Sequence, residues 1–134
     1  MALGRGIASM LPRHAVVLLI GDLGAGKTTL AKGIVSGLGA APPEDVSSPT
    51  FTLIHEYGTP AERNLVYHID LYRLDQAAQV ATLGLDELFD RDAIVLIEWG
   101  ERFPELLPSH PIRIHLASDP SDANIRNIRI SGLA

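Results

Sequence analysis

The chain of 134 residues is 46% hydrophobic and 20% charged, enough for one cored domain and too short for two of comfortable size. Its formal charge of -5 argues against an electrostatic grip on a long stretch of nucleic acid, which needs a basic face to displace counterions, so any connection to RNA is expected to be indirect. The absence of cysteine excludes disulfides and thiolate metal sites and suits a reducing cytosol.

Leu3, Ile7, Met10 and Leu11 recur at helical spacing and predict a short amphipathic helix ended by Pro12, its apolar face laid on a sheet. Residues 15–20, AVVLLI, are a continuous apolar run with two valines, the pattern of a strand buried on both faces of a parallel sheet. This longest apolar run falls far short of the roughly 20 residues that span a bilayer. The opening residues also lack the charged, apolar, small-residue order of a signal peptide, so a soluble, unexported protein of the cytoplasm is expected. A glycine-rich turn follows at once. Over residues 28–38, Leu30, Ile34, Val35 and Leu38 repeat at helical spacing, with Gly37 and Gly39 at the flexible end.

Residues 40–49 are rich in proline, serine and acids and predict a loop leading into a strand-like stretch at residues 50–57. A turn over residues 58–64 separates it from a second β-rich run, residues 65–72. The two can pair as a hairpin, or the second can enter the central sheet. Residues 76–89 read as helical with a break near Gly84, and residues 93–97 as a second fully apolar strand that ends in Glu98. Residues 112–116 and 125–130 alternate apolar with polar and fit edge strands. Buried strands alternating with helices predict a three-layer α/β fold with a mostly parallel central sheet flanked by helices, in one domain over residues 1–134.

The segment GDLGAGKTT sets Gly21, Gly26, Lys27 and Thr28 in the pattern G-x-x-x-x-G-K-[ST], directly after a strand and directly before a helix. Glycines let the backbone curl so that successive amides face inward, and the helix amino terminus adds its dipole. Asp22, Leu23, Gly24, Ala25, Gly26, Lys27, Thr28 and Thr29 are therefore the expected cradle for the phosphates of a nucleotide. Lys27 can reach the β and γ phosphates, and Thr28 can ligate Mg2+. A plain glycine-rich turn before a helix is the bland alternative. No N-K-x-D guanine signature occurs, so ATP is the expected nucleotide.

The strand AIVLI delivers Glu98 to its polar end, the form of a Walker B element whose carboxylate holds magnesium directly or through water. Trp99, the only tryptophan, can stack on a base or a partner, or simply pack at the rim. Asp70, in HIDLYR, can reach the γ phosphate or position an attacking water, and a surface pair with Arg73 or a helix cap explains it equally. Thr50, in SSPTFT, can sense the γ phosphate as a switch residue does, or merely start a strand. His55 and His68 lie in strand-like runs without paired metal-ligand spacing and read as structural.

GDLGAGKTTL, SSPTFTLIHEY, YHIDLYRL and LIEWGERFPELLP, in this order, resemble the TsaE family over residues 21–108, while the chain after Pro111 matches only loosely. The resemblance implies the ATPase component of bacterial threonylcarbamoyladenosine synthesis in tRNA, acting with TsaB and TsaD and feeble alone. TsaD would carry out the transfer, and tRNA would be met only through the complex. It also implies roles. Lys27 and Thr28 match the Walker A lysine and magnesium-binding threonine, Glu98 the second magnesium ligand before Trp99, Asp70 the aspartate that promotes water attack, and Thr50 the switch-like loop. Many relatives have a short strand before the first helix that contributes to the adenine side, whereas this sequence starts at or just inside that helix. The competing expectation is a small-molecule P-loop kinase, although only isolated arginines such as Arg63, Arg73 and Arg91 stand where a kinase lid would need a cluster. A nucleotide-gated binding module that hydrolyses little is a third.

Overall fold

The apolar run that starts at Ala15 forms the middle of the sheet. The computed structural model describes residues 2–22, 25–49, 51–119 and 121–133, the side chains of residues 123–126 excepted. β1 (Ala15–Ile20) lies between β4 (Ile94–Glu98) and β5 (Ile112–Asp119) and runs parallel to both. β3 (Val66–Asp70) extends the parallel set beyond β4. Two antiparallel strands close the edges, β2 (Ile54–Tyr57) on β3 and β6 (Asp122–Ser131) on β5, giving the order β2-β3-β4-β1-β5-β6.

Alternation along the strands divides the core into two faces. Val17 and Leu19 of β1, Val66 of β3 and Leu96 of β4 pack with Ile7 of α1 (Ala2–Ala8) and with Leu30 and Ile34 of α2 (Lys27–Gly37). On the other face Leu18, Ile69, Val95 and Ile97 meet Val80 of α3 (Ala77–Ala81), Leu85 of α4 (Leu85–Phe89) and Phe103. Each such buried leucine or isoleucine contributes about 1.5–3 kcal/mol relative to exposure. The result is the expected three-layer arrangement, parallel in its centre. Among the described residues no helix is long and apolar enough to cross a membrane.

Several boundaries differ from the sequence expectations, each for a local reason. The first helix stops at Ala8, and the amides of Met10 and Leu11 bond back to Ile7 and Ala8 as the chain turns ahead of Pro12. β2 starts only at Ile54 because Leu53 is left-handed, at φ 70°, and cannot continue a strand. Its partner β3 satisfies both alternatives at once, pairing as a hairpin with β2 and in parallel with β4. The helical run splits at Gly84 into two helices of five residues each. β5 is not an edge strand, since β6 covers its outer side; its alternation reflects half-buried faces rather than an open edge.

Candidate functional site

The C-terminal ends of β1, β3 and β4 open on one edge of the sheet, where ligands of open α/β sheets bind. Gly21 follows β1. A Cβ there would sit 2.7 Å from the Leu116 carbonyl oxygen, so only glycine lets the loop leave β1 this close to β5. The amide of Ala25 then donates to the Asp22 carbonyl at 2.9 Å, closing a turn. Gly26 stands at the N-cap of α2 with φ 98°, a conformation that favours glycine, and no side chain caps the helix. The first-turn amides are thereby left to an external anion. Of the expected cradle, Leu23 and Gly24 lie outside the described residues, and Thr29 is exposed on α2.

Lys27 is drawn inward, only 4% exposed, and its Nζ donates to the Gly21 carbonyl at 2.7 Å while lying 3.5 Å from the centroid of the Trp99 ring. Burial lowers its pKa below the usual lysine value, and the carboxylates of Glu98, Glu101, Asp70 and Asp22 pull it partly back up. One ammonium thus faces four acids. A bare triphosphate would meet those acids unscreened, so the local electrostatics favour a phosphate that arrives with a cation.

Thr28 and Glu98 meet at the head of α2, the threonine hydroxyl 3.5 Å from the carboxylate Oε2. Glu98 is 3% exposed at the end of β4 and in register with Asp70 of β3. The same Oε2 lies 2.6 Å from His68 Nε2. His68 does sit in the core, as its strand context implies, yet its one polar contact is with Glu98, a link that the lack of metal-ligand spacing concealed. Parity was the available signal: residues 66, 68 and 70 alternate onto the face that carries 94, 96 and 98 once β3 pairs in register with β4.

The hard oxygen donors of Thr28 and Glu98 fit a magnesium ion bound together with phosphate oxygens. Among the described residues no group of three or more His, Cys, Asp and Glu forms a self-sufficient cage, so the protein donors suit a cation that brings further oxygens with it.

Asp70 is 6% exposed and makes no ion pair with Arg73 among the described residues. Its Oδ1 accepts the Tyr72 amide at 2.9 Å, a turn cap, and its Oδ2 accepts the Ser48 hydroxyl at 3.4 Å. Asp70 therefore braces two segments at the rim of the loop. Thr50, the candidate switch, lies outside the described residues. Trp99 is left-handed, at φ 67°, and Tyr72 stacks on it at 5.2 Å. Arg102 donates to the carbonyls of Leu71, Tyr72 and Leu74, pinning the turn after β3. Beyond Gly21 a concavity of about 400 Å³ opens on β5 and β6, lined by Ile20, His115, Leu116, Asn127, Ile128 and Arg129.

A glycine-rich loop between a buried parallel strand and a helix, with an inward lysine and a carboxylate on the neighbouring strand end, defines a P-loop nucleotide-binding protein. The family model described as "Threonylcarbamoyl adenosine biosynthesis protein TsaE" matches residues 1–128. The chain belongs to the TsaE family of threonylcarbamoyladenosine biosynthesis. It is similar to the "tRNA threonylcarbamoyladenosine biosynthesis protein TsaE" of Haemophilus influenzae, with 39% identity over 88% of this chain and 72% of that protein. The Bacillus subtilis protein of the same description is 43% identical over 74% of this chain, which spans 59% of that relative's length. The Streptomyces coelicolor protein is 34% identical over 98% of this chain and 88% of its own. The crystal structure of Bacillus subtilis YdiB superposes with a TM-score of 0.72 at 32% identity, covering 98% of this chain and 80% of that one.

Proposed function

We propose that this chain is a magnesium-dependent ATPase of the threonylcarbamoyladenosine machinery, weak alone and stimulated by TsaB and TsaD, reaching tRNA only through that complex. The observation that carries this reading is the convergence of Lys27, Thr28, Glu98 and Asp70 around one uncapped helix terminus. In it, the amides of residues 22–29 and Lys27 bind the β and γ phosphates. Thr28 and Glu98 hold Mg2+, which supplies charge neutralisation at the transferring phosphoryl group when bound. Asp70 orients the attacking water, and Thr50 answers the γ phosphate as a switch. The acidic surroundings of Lys27 support the need for the cation.

The concavity beyond Gly21 is the proposed base site. His115→Ala and Arg129→Ala are expected to weaken ATP but not inorganic tripolyphosphate; equal losses for both ligands would place the base elsewhere. The whole reading is tested by ATP hydrolysis with the purified protein alone, with TsaB and TsaD from the same source, and with Glu98→Ala. A large stimulation that vanishes in the Glu98 variant is expected. Absence of stimulation despite nucleotide binding would turn the reading toward a small-molecule kinase, although Arg102 and Arg91 are committed to Leu71, Tyr72, Leu74 and Tyr67 rather than gathered into a lid.

A further inference from the structure

His68 has no solvent exposure and stands in register between His55 of β2 and Leu96 of β4. A buried imidazole is costly unless its polar atoms are satisfied. One of them is: Nε2 lies 2.6 Å from Glu98 Oε2. The other, Nδ1, is buried without a hydrogen-bond partner. Since a carboxylate only accepts, Nε2 is the donor of this bond. The one side-chain hydrogen bond of His68 found among the described residues thus goes to one oxygen of one side chain. Thr28 approaches that same oxygen at 3.5 Å, so both neighbours hold Glu98 by Oε2, and Oε1 is the oxygen these two bonds leave over.

The geometry points to His68 as a positioning residue for the divalent cation: it locks the Glu98 carboxylate in one orientation beside Thr28. It touches neither phosphate nor metal. This rests on the reading of Glu98 and Thr28 as the cation-binding pair and deepens it. Partners that orient a metal ligand in this way are worth about 10–100-fold in metal affinity. The strand backbone sets the position of His68, and β3 and β4 are held in register, so the bond survives only for a side chain of the right reach.

Two amide variants separate positioning from mere packing. The side-chain nitrogen of His68→Gln stands about where Nε2 does, whereas that of His68→Asn falls short. The readout is Mn2+ affinity, from the electron paramagnetic resonance of free Mn2+, in the presence of a non-hydrolysable ATP analogue, with nucleotide affinity in EDTA measured alongside. Expected is a loss of at least about tenfold in Mn2+ affinity for His68→Asn, near-native affinity for His68→Gln, and unchanged metal-free nucleotide binding in both. Equal Mn2+ affinities in the two variants, whether reduced or intact, would overturn the proposal. Glu98→Ala serves as the reference. If it leaves Mn2+ affinity unchanged, the cation reading itself fails and His68 falls with it; if it lowers affinity while the amide variants do not differ, only the role of His68 fails.

Discussion

At the scale of single residues, the site is tied together by side chains that each join two or more segments: Glu98 meets Thr28 and His68, and Asp70 meets Ser48 and Tyr72. Lys27 spends its ammonium on the Gly21 carbonyl and the Trp99 face, contacts that, on the proposed reading, a phosphate would replace with charge-assisted hydrogen bonds. Lys27→Ala removes the charge and its donors together, and at about 1.5–3 kcal/mol for each hydrogen bond to a charged group, ATP affinity by calorimetry is expected to fall roughly 100-fold or more. Affinity within a few-fold of wild type would remove Lys27 from the phosphate site. If Glu98 orders the cation rather than the phosphate chain, as proposed, Glu98→Ala should leave part of the nucleotide binding and remove most of the turnover; undiminished magnesium-dependent hydrolysis would contradict that. That Lys27, Thr28 and Glu98 come together was legible in the sequence, because each is placed by its spacing to a strand end or a helix start. His68 was not, because its partner lies on another strand, and only the register of β3 on β4 brings the two together. Asp70 was legible as a candidate but not in its detail, since its bonds to Tyr72 and Ser48 come from loops whose path no local pattern sets.

Between elements, α1 packs closely against α2, and the contact is made through glycine. A Cβ on Gly4 would stand 2.7 Å from Gly33 Cα and 2.8 Å from the Leu30 carbonyl oxygen, backbone atoms that cannot step aside. Gly6, one turn face away, has nothing within 4 Å of such a Cβ. The two positions therefore predict opposite signs. Gly6→Ala gains helix propensity and should stabilise by about 0.5–1 kcal/mol. Gly4→Ala gains the same propensity but overpacks the interface at about 1–3 kcal/mol, for a net loss of up to about 2.5 kcal/mol. Urea denaturation of the two variants reads this directly, and a stabilised Gly4→Ala would mean that α1 does not dock on α2 as described. The helix itself was visible in the sequence from Leu3 and Ile7. Its glycine contact was not, since composition cannot distinguish a glycine kept for packing from one that is merely tolerated. The split at Gly84 was anticipated from the residue type, whereas the late start of β2 follows from the left-handed Leu53, which no propensity would place there.

On the scale of the whole molecule, the nucleotide site is built from segments far apart in the chain: the loop after β1, the end of β3 and the end of β4. The alternation of apolar runs and helical periods made the layers and the parallel centre legible, but the position of β4 between β3 and β1 depends on crossovers that sequence periodicity does not encode. A ligand that binds this assembled edge binds the folded state alone and must raise its stability by mass action. At ATP concentrations about 100 times Kd the gain is about 2.7 kcal/mol, which for a domain of this size corresponds to roughly 10 °C in melting temperature. The electrostatics add a condition. Lys27 feels the carboxylates of Glu98, Glu101, Asp70 and Asp22, so the triphosphate should stabilise the fold strongly with Mg2+ and only weakly in EDTA. Thermal melts with ATP and Mg2+, with ATP and EDTA, and with Mg2+ alone test this, with Lys27→Ala expected to show no nucleotide-dependent shift. An equal shift with and without Mg2+ would mean that the carboxylates at the strand ends do not share the cation with the phosphates, and the pairing of Thr28 with Glu98 would then need another purpose.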